Sequence, residues 1–303
     1  MFNPPCALPF TLPLGLFSVR VAALLWTLMI LACLMLSTRI LRILHGRGKD
    51  RLHLLVYVFA PALACLSIGQ IVPLAMLGLV LFLWLQRDRP LLAGLCIPLL
   101  AVKPHLLLPF AAVVLLWTIK GKRYRFLVGV LASFAGMFGI VLSFDHQIFA
   151  HYLPVLRSAN TVSHELPNWS SLFQLIHPQA GYLQYVPAIC ASIWAVAWYL
   201  SKGDDWDWNN EGLLVMVVSV VVAPYSWFQD EILMVPAVLG AIYRCSDCGK
   251  SLIGFFVLDG AALALILFSV KATSGAYLWT SLAWLGWVLY ARAQASASNA
   301  SPS

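Results

Sequence analysis

An all-α, polytopic membrane fold follows from three features of the chain. Of its 303 residues, 61% are apolar. Only 10% are charged, against about 25% in a soluble domain, so a soluble core of this size would lack its polar shell. The apolar residues fall into runs of membrane-spanning length, and Lys and Arg gather in the short connections between them. The net charge of +7 is therefore an orientation signal rather than a nucleic-acid footprint, and no nucleic-acid partner is expected. One transmembrane domain is predicted over residues 1–292, with membrane lipids as its surroundings.

A spanning helix needs about 20 apolar residues. The segment before Val19 has no basic start and carries Pro4, Pro5, Pro9 and Pro13. It is expected to lie at the membrane surface rather than to be a cleavable signal. The first helix is predicted over Val19–Leu41. The next, His53–Ile68, breaks at Gly69-Gln70 and resumes as Ile71–Leu85. Leu91–Val102 and His105–Ile119 flank Lys103-Pro104, where proline removes a donor and disfavours helix in the residue before it. Tyr124–Phe144 and Tyr182–Leu200 follow. Leu213–Ala223 stops at Pro224, and the chain continues as Ile232–Tyr243. Ser251–Val270 and Ala276–Ala291 complete the set. The Ser/Ala-rich stretch 293–303 is expected to be a disordered cytoplasmic tail.

Several of these segments are too short to cross a membrane alone. Leu91–Val102 rises only about 18 Å, and Leu213–Ala223 is similar. Interrupted segments are tolerated only where they line protein or a wet cavity, because lipid cannot satisfy freed backbone groups. Their shortness therefore predicts where a cavity lies.

Orientation follows from the basic residues. Arg42, Arg47, Lys49 and Arg51 mark one loop, and Arg87 with Arg89 the next on that side. Lys120, Lys122, Arg123 and Arg125 mark a third, and Arg244 with Lys250 a later one. If all are cytoplasmic, the breaks at Gly69-Gln70, Lys103-Pro104-His105 and Pro224–Glu231 fall together on the outer side. So does the loop 145–181, long enough to be a lid or binding loop, with His146, His151, His164 and His177. The loop Lys202–Gly212 is placed inside by alternation although Asp204, Asp205, Asp207 and Glu211 make it acidic.

The outer set carries the candidate chemistry. A cation at membrane depth is expensive and usually faces a partner or a wet cavity. Lys103 reads either as a phosphate ligand or as a snorkelling lysine; Pro104 and His105 favour the first. Gln70 either bridges helices or orients a sugar hydroxyl or phosphate. Asp230 and Glu231 are candidate catalytic carboxylates or dipole-favoured residues of a helix start, with Ser226 an alternative cap. Tyr225 and Trp227 suit sugar binding and equally an interfacial aromatic belt. Trp169 is expected to pack the outer loop over the cavity; the sequon Asn168-Trp169-Ser170 is too short a pattern to count. Asp259, mid-helix, is a weaker candidate that could simply pair with a neighbouring helix. Of seven cysteines, five are isolated and read as small hydrophobes. Cys245-x-x-Cys248 lacks the second ligand pair that zinc needs. Nothing in the sequence calls for a metal or another cofactor.

Together these pieces resemble a family. Phe2-Asn3-Pro4-Pro5 with Pro13-Leu14, Ala22–Trp26, Gly69-Gln70, Arg89–Gly94 with Lys103-Pro104-His105, and Ala223–Asp230 occur in the order seen in glycosyltransferase family 87, the polyprenyl-phosphate-mannose-dependent mannosyltransferases. The resemblance covers residues 1 to about 240, and its specificity lies in the ordered set. It implies a GT-C-like helical bundle that moves a sugar, mannose by analogy, from a polyprenyl-phosphate donor to a glycan or glycolipid acceptor at the extracytoplasmic face. By the match, Lys103 and Gln70, with His105 beside them, would lie near the donor phosphate and Ser226–Asp230 near the sugar. Family members carry a further helix and an outer loop with the catalytic acid ahead of the Asn-Pro-Pro segment, a part this chain is expected to lack. Asp145, Glu165, Asp230 and Glu231 are then the outer-face acids available. The competing expectations are a lipid-phosphate transporter or flippase, and a catalytically incomplete lipid-binding relative.

Overall fold

Residues 3–45, 51–158, 168–176, 180–244, 248–271 and 274–300 are described by the computed structural model. Among them there is no strand: fourteen α-helices joined by 3-10 turns make up the chain. Four helical stretches are long and apolar enough to cross a membrane: Val19–Leu44, Tyr124–Phe144, Gly181–Asp205 and Gly249–Leu267. The protein is a multi-pass membrane protein.

The first helix, α1 (Val19–Leu44), follows two proline-bearing 3-10 turns. The run predicted as one helix from His53 is a 3-10 turn, Leu52–Tyr57, then α2 (Ala60–Ile68), with Pro61 at the start. The freed Ala60 N–H donates to Asp259 Oδ1 at 2.8 Å. Asp259 thus satisfies the backbone of another helix inside the apolar interior, as a helix end in lipid requires. At the other end of α2, Gly69 adopts φ +67°, the left-handed turn that favours glycine. Its carbonyl accepts from Trp26 Nε1 at 2.8 Å, which ties this break to α1.

Helix α3 (Val72–Leu85) is almost wholly buried. The predicted span Leu91–Val102 is split by Pro98 into α4 (Pro90–Leu95) and α5 (Ile97–Leu100). Helix α4 packs on α7 (Tyr124–Phe144) through facing glycines. A Cβ on Gly94 would lie 2.2 Å from the Phe126 carbonyl, and one on Gly129 would lie 2.2 Å from the Leu91 carbonyl. Only small residues allow such backbone approach. Helix α6 (Leu108–Lys120) begins beside Pro109, and its Phe110 N–H is met by the Ser219 hydroxyl of α11 (Leu213–Val221). Phe82, Phe110, Trp117, Phe126 and Trp208 pack edge-on, with centroid distances from 4.9 Å, the favoured aromatic geometry.

The long outer loop is not structureless. It contains α8 (Ile148–Ser158) and α9 (Trp169–Ile176), which an irregular-loop reading missed because both runs are short and polar-interrupted. The chain continues through α10 (Val186–Lys202), α11, α12 (Val235–Arg244), α13 (Cys248–Leu267) and α14 (Leu278–Ala300). Helix α14 runs past the predicted end at Ala291 and through most of the stretch expected to be a disordered tail.

One end of the bundle gathers the basic residues. There the acidic segment 202–212 meets its counter-charges: Arg244 Nη1 donates to the Asn209 carbonyl at 3.0 Å and Arg292 Nη1 to the Asn210 carbonyl at 2.7 Å. Glu211 Oε1 lies 3.9 Å from both Lys202 and Arg292. Alternation had put this segment on the basic side against its own charge, and its contacts agree.

Candidate functional site

At the other end, helix interruptions meet. Lys103 sits between α5 and the 3-10 turn Pro104–Leu106, in non-helical backbone (φ −133°, ψ 72°), as the following Pro104 favours. Asp230 belongs to the 3-10 turn Phe228–Met234, which precedes α12. They are 127 positions apart in the chain, and Lys103 Nζ lies 2.5 Å from Asp230 Oδ1. Both are buried, at 5% and 2% exposure. The second oxygen, Asp230 Oδ2, accepts the Trp227 N–H at 2.9 Å. Asp230, not Ser226, therefore caps this turn. The Trp227 ring stands 5.6 Å from Lys103 Nζ, within cation–π range.

A second cross-link lies alongside. His105 stacks on Tyr225 with centroids 3.8 Å apart. Tyr225 has Tyr185, Tyr152 and Asp230 as polar neighbours. The Gly69-Gln70 break reaches the same turn through Cys65, whose thiol points to the Gln229 carbonyl at 3.2 Å. Gln70 N–H closes the end of α2 on the Cys65 carbonyl at 2.9 Å. The Gln70 side chain is buried, and its Oε1 accepts no hydrogen bond among the described residues. Gln229 Oε1 and Trp227 Nε1 are in the same condition. Buried polar groups are normally paired, and these three unpaired ones lie on the elements that meet here.

The other candidate residues separate from this centre. Glu231, next to Asp230, turns the opposite way: its Oε1 lies 2.5 Å from the Thr280 hydroxyl of α14. The adjacent carboxylates therefore do not act as a pair. Asp145 ends α7 at the outer surface. It accepts the Gln147 N–H at 2.9 Å and faces His151 Nδ1 at 2.8 Å. These contacts, the His151 bond foremost, hold its carboxyl below the usual range. Trp169 is partly exposed, while its neighbours do the anchoring. Asn168 Nδ2 donates to the Ala223 carbonyl at 2.8 Å and Ser170 Oγ to the Val222 carbonyl at 3.0 Å. The sequon asparagine is thus consumed by satisfying the carbonyls that the Pro224 break frees. His164, Glu165, His177 and Cys245 lie outside the described residues.

Sequence reasoning missed three participants. Gln229 was passed over beside two carboxylates, and His151 was one of several loop histidines. Asn168 was read only as a sequon. The Asp145–His151 spacing of six residues was the one signal that could have drawn attention to that pair.

An apolar cavity of about 250 Å³ lies between α5, α6 and α7; Lys103 does not line it, but residues on either side of Lys103 in the chain do. Ala101, Pro104 and Leu107 line one end, and Val114, Thr118 and Val130 continue it along α6 and α7. The protein thus holds a buried cation and, flanking the same chain segment, an apolar cavity.

Comparison with protein families places the chain. Glycosyltransferase family 87 matches residues 2–243, which include every element of the site. The chain belongs to this family and is a membrane glycosyltransferase. Comparisons with curated proteins and with solved structures give no match.

Proposed function

We propose that the chain transfers a sugar, mannose by family analogy, from a polyprenyl-phosphate donor to a glycan or glycolipid acceptor at the face opposite the basic loops, the extracytoplasmic one. The observation that carries this reading is the buried Lys103–Asp230 pair where the helix interruptions meet, with an apolar cavity lined by Ala101 and Pro104 on either side of Lys103 in the chain. Lys103 has three donors and gives one to Asp230. The other two are available to the donor phosphate, with His105 beside them. Asp230 and the Trp227 ring hold the ammonium in place. In a site of low dielectric, a fixed cation stabilises the charge that grows on the phosphate as the sugar's anomeric C–O bond breaks. The cavity along α6 and α7 suits the first isoprene units.

The unpaired Gln70 Oε1, Gln229 Oε1 and Trp227 Nε1 suit sugar hydroxyls, with Tyr225 and Ser226 near them. The acceptor hydroxyl attacks the anomeric carbon, and its proton passes to a base. Asp230 is buried and neutralised by Lys103 and Glu231 is buried against Thr280, so the accessible Asp145, with His151, is the carboxylate arrangement best suited to that proton. Supporting evidence is family membership together with the meeting of these breaks.

The test is incubation of the purified chain with labelled polyprenyl-phosphate mannose and membrane glycolipids, followed by mass spectrometry of products. Transfer that falls on Lys103→Ala supports the reading; full transfer by that variant counts against it. Donor moved across a bilayer without hydrolysis or transfer would instead favour a flippase.

A further inference from the structure

The opposite end of the bundle holds a second groove, unrelated to the Lys103 centre. It lies between the end of α1 and the 3-10 turn Leu52–Tyr57 and has a volume of about 450 Å³. Arg39, Arg42, His53 and Tyr57 supply its polar lining, and Met35, Leu36 and Leu54 much of its apolar side. Arg39 and Arg42 are exposed and one helical turn apart, so their guanidinium groups share a face. Among the described residues that line the groove there is no carboxylate. His53 Nδ1 is buried and has no hydrogen-bond partner among the described residues.

Depth along the bilayer identifies what this groove meets. From Val19, where α1 begins, to Arg39 the helix rises about 30 Å, the thickness of a hydrocarbon core. The two arginines therefore stand at headgroup level, in the leaflet opposite the Lys103 site. Met35 and Leu36, one turn deeper, are exposed and face acyl chains. A fork of guanidinium groups suits a phosphate oxygen pair, and basic pockets between helices at this level hold anionic headgroups.

The geometry points to a binding site for an anionic glycerophospholipid in the leaflet on the basic side. Its phosphodiester sits between Arg39, Arg42 and His53, and its first acyl carbons lie on Met35, Leu36 and Leu54. The site is separate from the donor site and does not depend on the proposed transfer reaction.

The experiment is native mass spectrometry of the full chain released from mixed micelles. Phosphatidylglycerol is compared with phosphatidylcholine of the same acyl chains, with and without millimolar inorganic phosphate. The expected result is preferential retention of phosphatidylglycerol that free phosphate does not displace. Each arginine replaced in Arg39→Gln and Arg42→Gln should reduce that preference about fivefold, and a Lys103→Gln background should leave it intact. Equal retention of the two lipids, displacement by free phosphate, an unaffected double variant, or loss only with Lys103→Gln would each overturn the proposal. Should the double variant not fold, a photoreactive phosphatidylglycerol on the unaltered chain decides. Labels within 35–57 support the site, and labels confined elsewhere refute it.

Discussion

Replacing Asp230 by Asn leaves Lys103 a buried cation whose nearest anion, 2.5 Å away, has become neutral. The amide oxygen can still accept the Trp227 N–H, so the local turn is kept and the change isolates the charge. Removing one partner of a buried ion pair costs about 3–5 kcal/mol, because the other charge is left uncompensated. For a chain of this size that corresponds to a fall in Tm on the order of 10 °C. Lys103→Met inverts the defect and should cost a similar amount. The double variant Lys103→Met/Asp230→Asn holds no unpaired charge, and most of the lost stability should return. Catalysis should not return with it. Without the ammonium, charge on the departing lipid phosphate is unsupported, and transfer should stay roughly 10²–10³-fold below the unaltered chain. Thermal unfolding in detergent and transfer from labelled lipid donor, measured on the three variants, separate the two roles. A double variant that regains transfer together with its Tm would refute the assignment of Lys103 to the phosphate and leave the pair a structural one.

Three further outcomes follow from the packing and the loop. Gly94→Leu or Gly129→Leu drives a side chain into a carbonyl 2.2 Å from the ideal Cβ, so α4 and α7 must separate; a lower Tm and faster proteolysis are expected, by about 1–3 kcal/mol or more. Asp259→Ala strands the Ala60 N–H and should cost about 1–3 kcal/mol, whereas Asp259→Asn, which still accepts, should lose clearly less; equal losses in thermal unfolding would contradict the capping role. For Asp145, the depressed folded-state pKa means that its contribution is complete above the unfolded value of about 3.9 and is lost as pH falls through the lower folded value. The protection of α8 against hydrogen exchange, corrected for the intrinsic rate, should therefore be constant from neutral to about pH 5 and fall only in stronger acid, and Asp145→Ala should lower it throughout the neutral range.

Much of this architecture was legible in the amino-acid order. Composition and run length are enough to specify a helical membrane protein, and Lys/Arg alternation sorted the breaks so well that Lys103, Gln70 and Pro224–Glu231 were expected on one side. What pattern reading could not supply was pairing. Asp230 and Glu231 look equivalent as adjacent acids, yet the tight 3-10 turn sends one to Lys103 and the other to Thr280. Run length also overlooked α8 and α9, because segments of 11 and 8 residues are far too short to read as membrane spans. Proline positions marked where helices weaken without saying that Pro98 would divide one segment in two.

The breaks and the charge belong to one design problem. A helix interrupted inside a membrane exposes backbone groups that lipid cannot satisfy, so each interruption here recruits a side chain from elsewhere. Asp259 takes the Ala60 N–H, Ser219 the Phe110 N–H, and Asn168 the Ala223 carbonyl. These recruits draw α13, α11 and the outer loop onto the broken segments and exclude lipid from the space between. In that enclosed, weakly polarisable volume a lysine interacts strongly with any anion, and only an internal carboxylate makes it tolerable before a substrate arrives. On the proposed reading, Asp230 is required by the fold for the same reason that Lys103 would be useful to catalysis. Their roles can be separated only by removing both charges together.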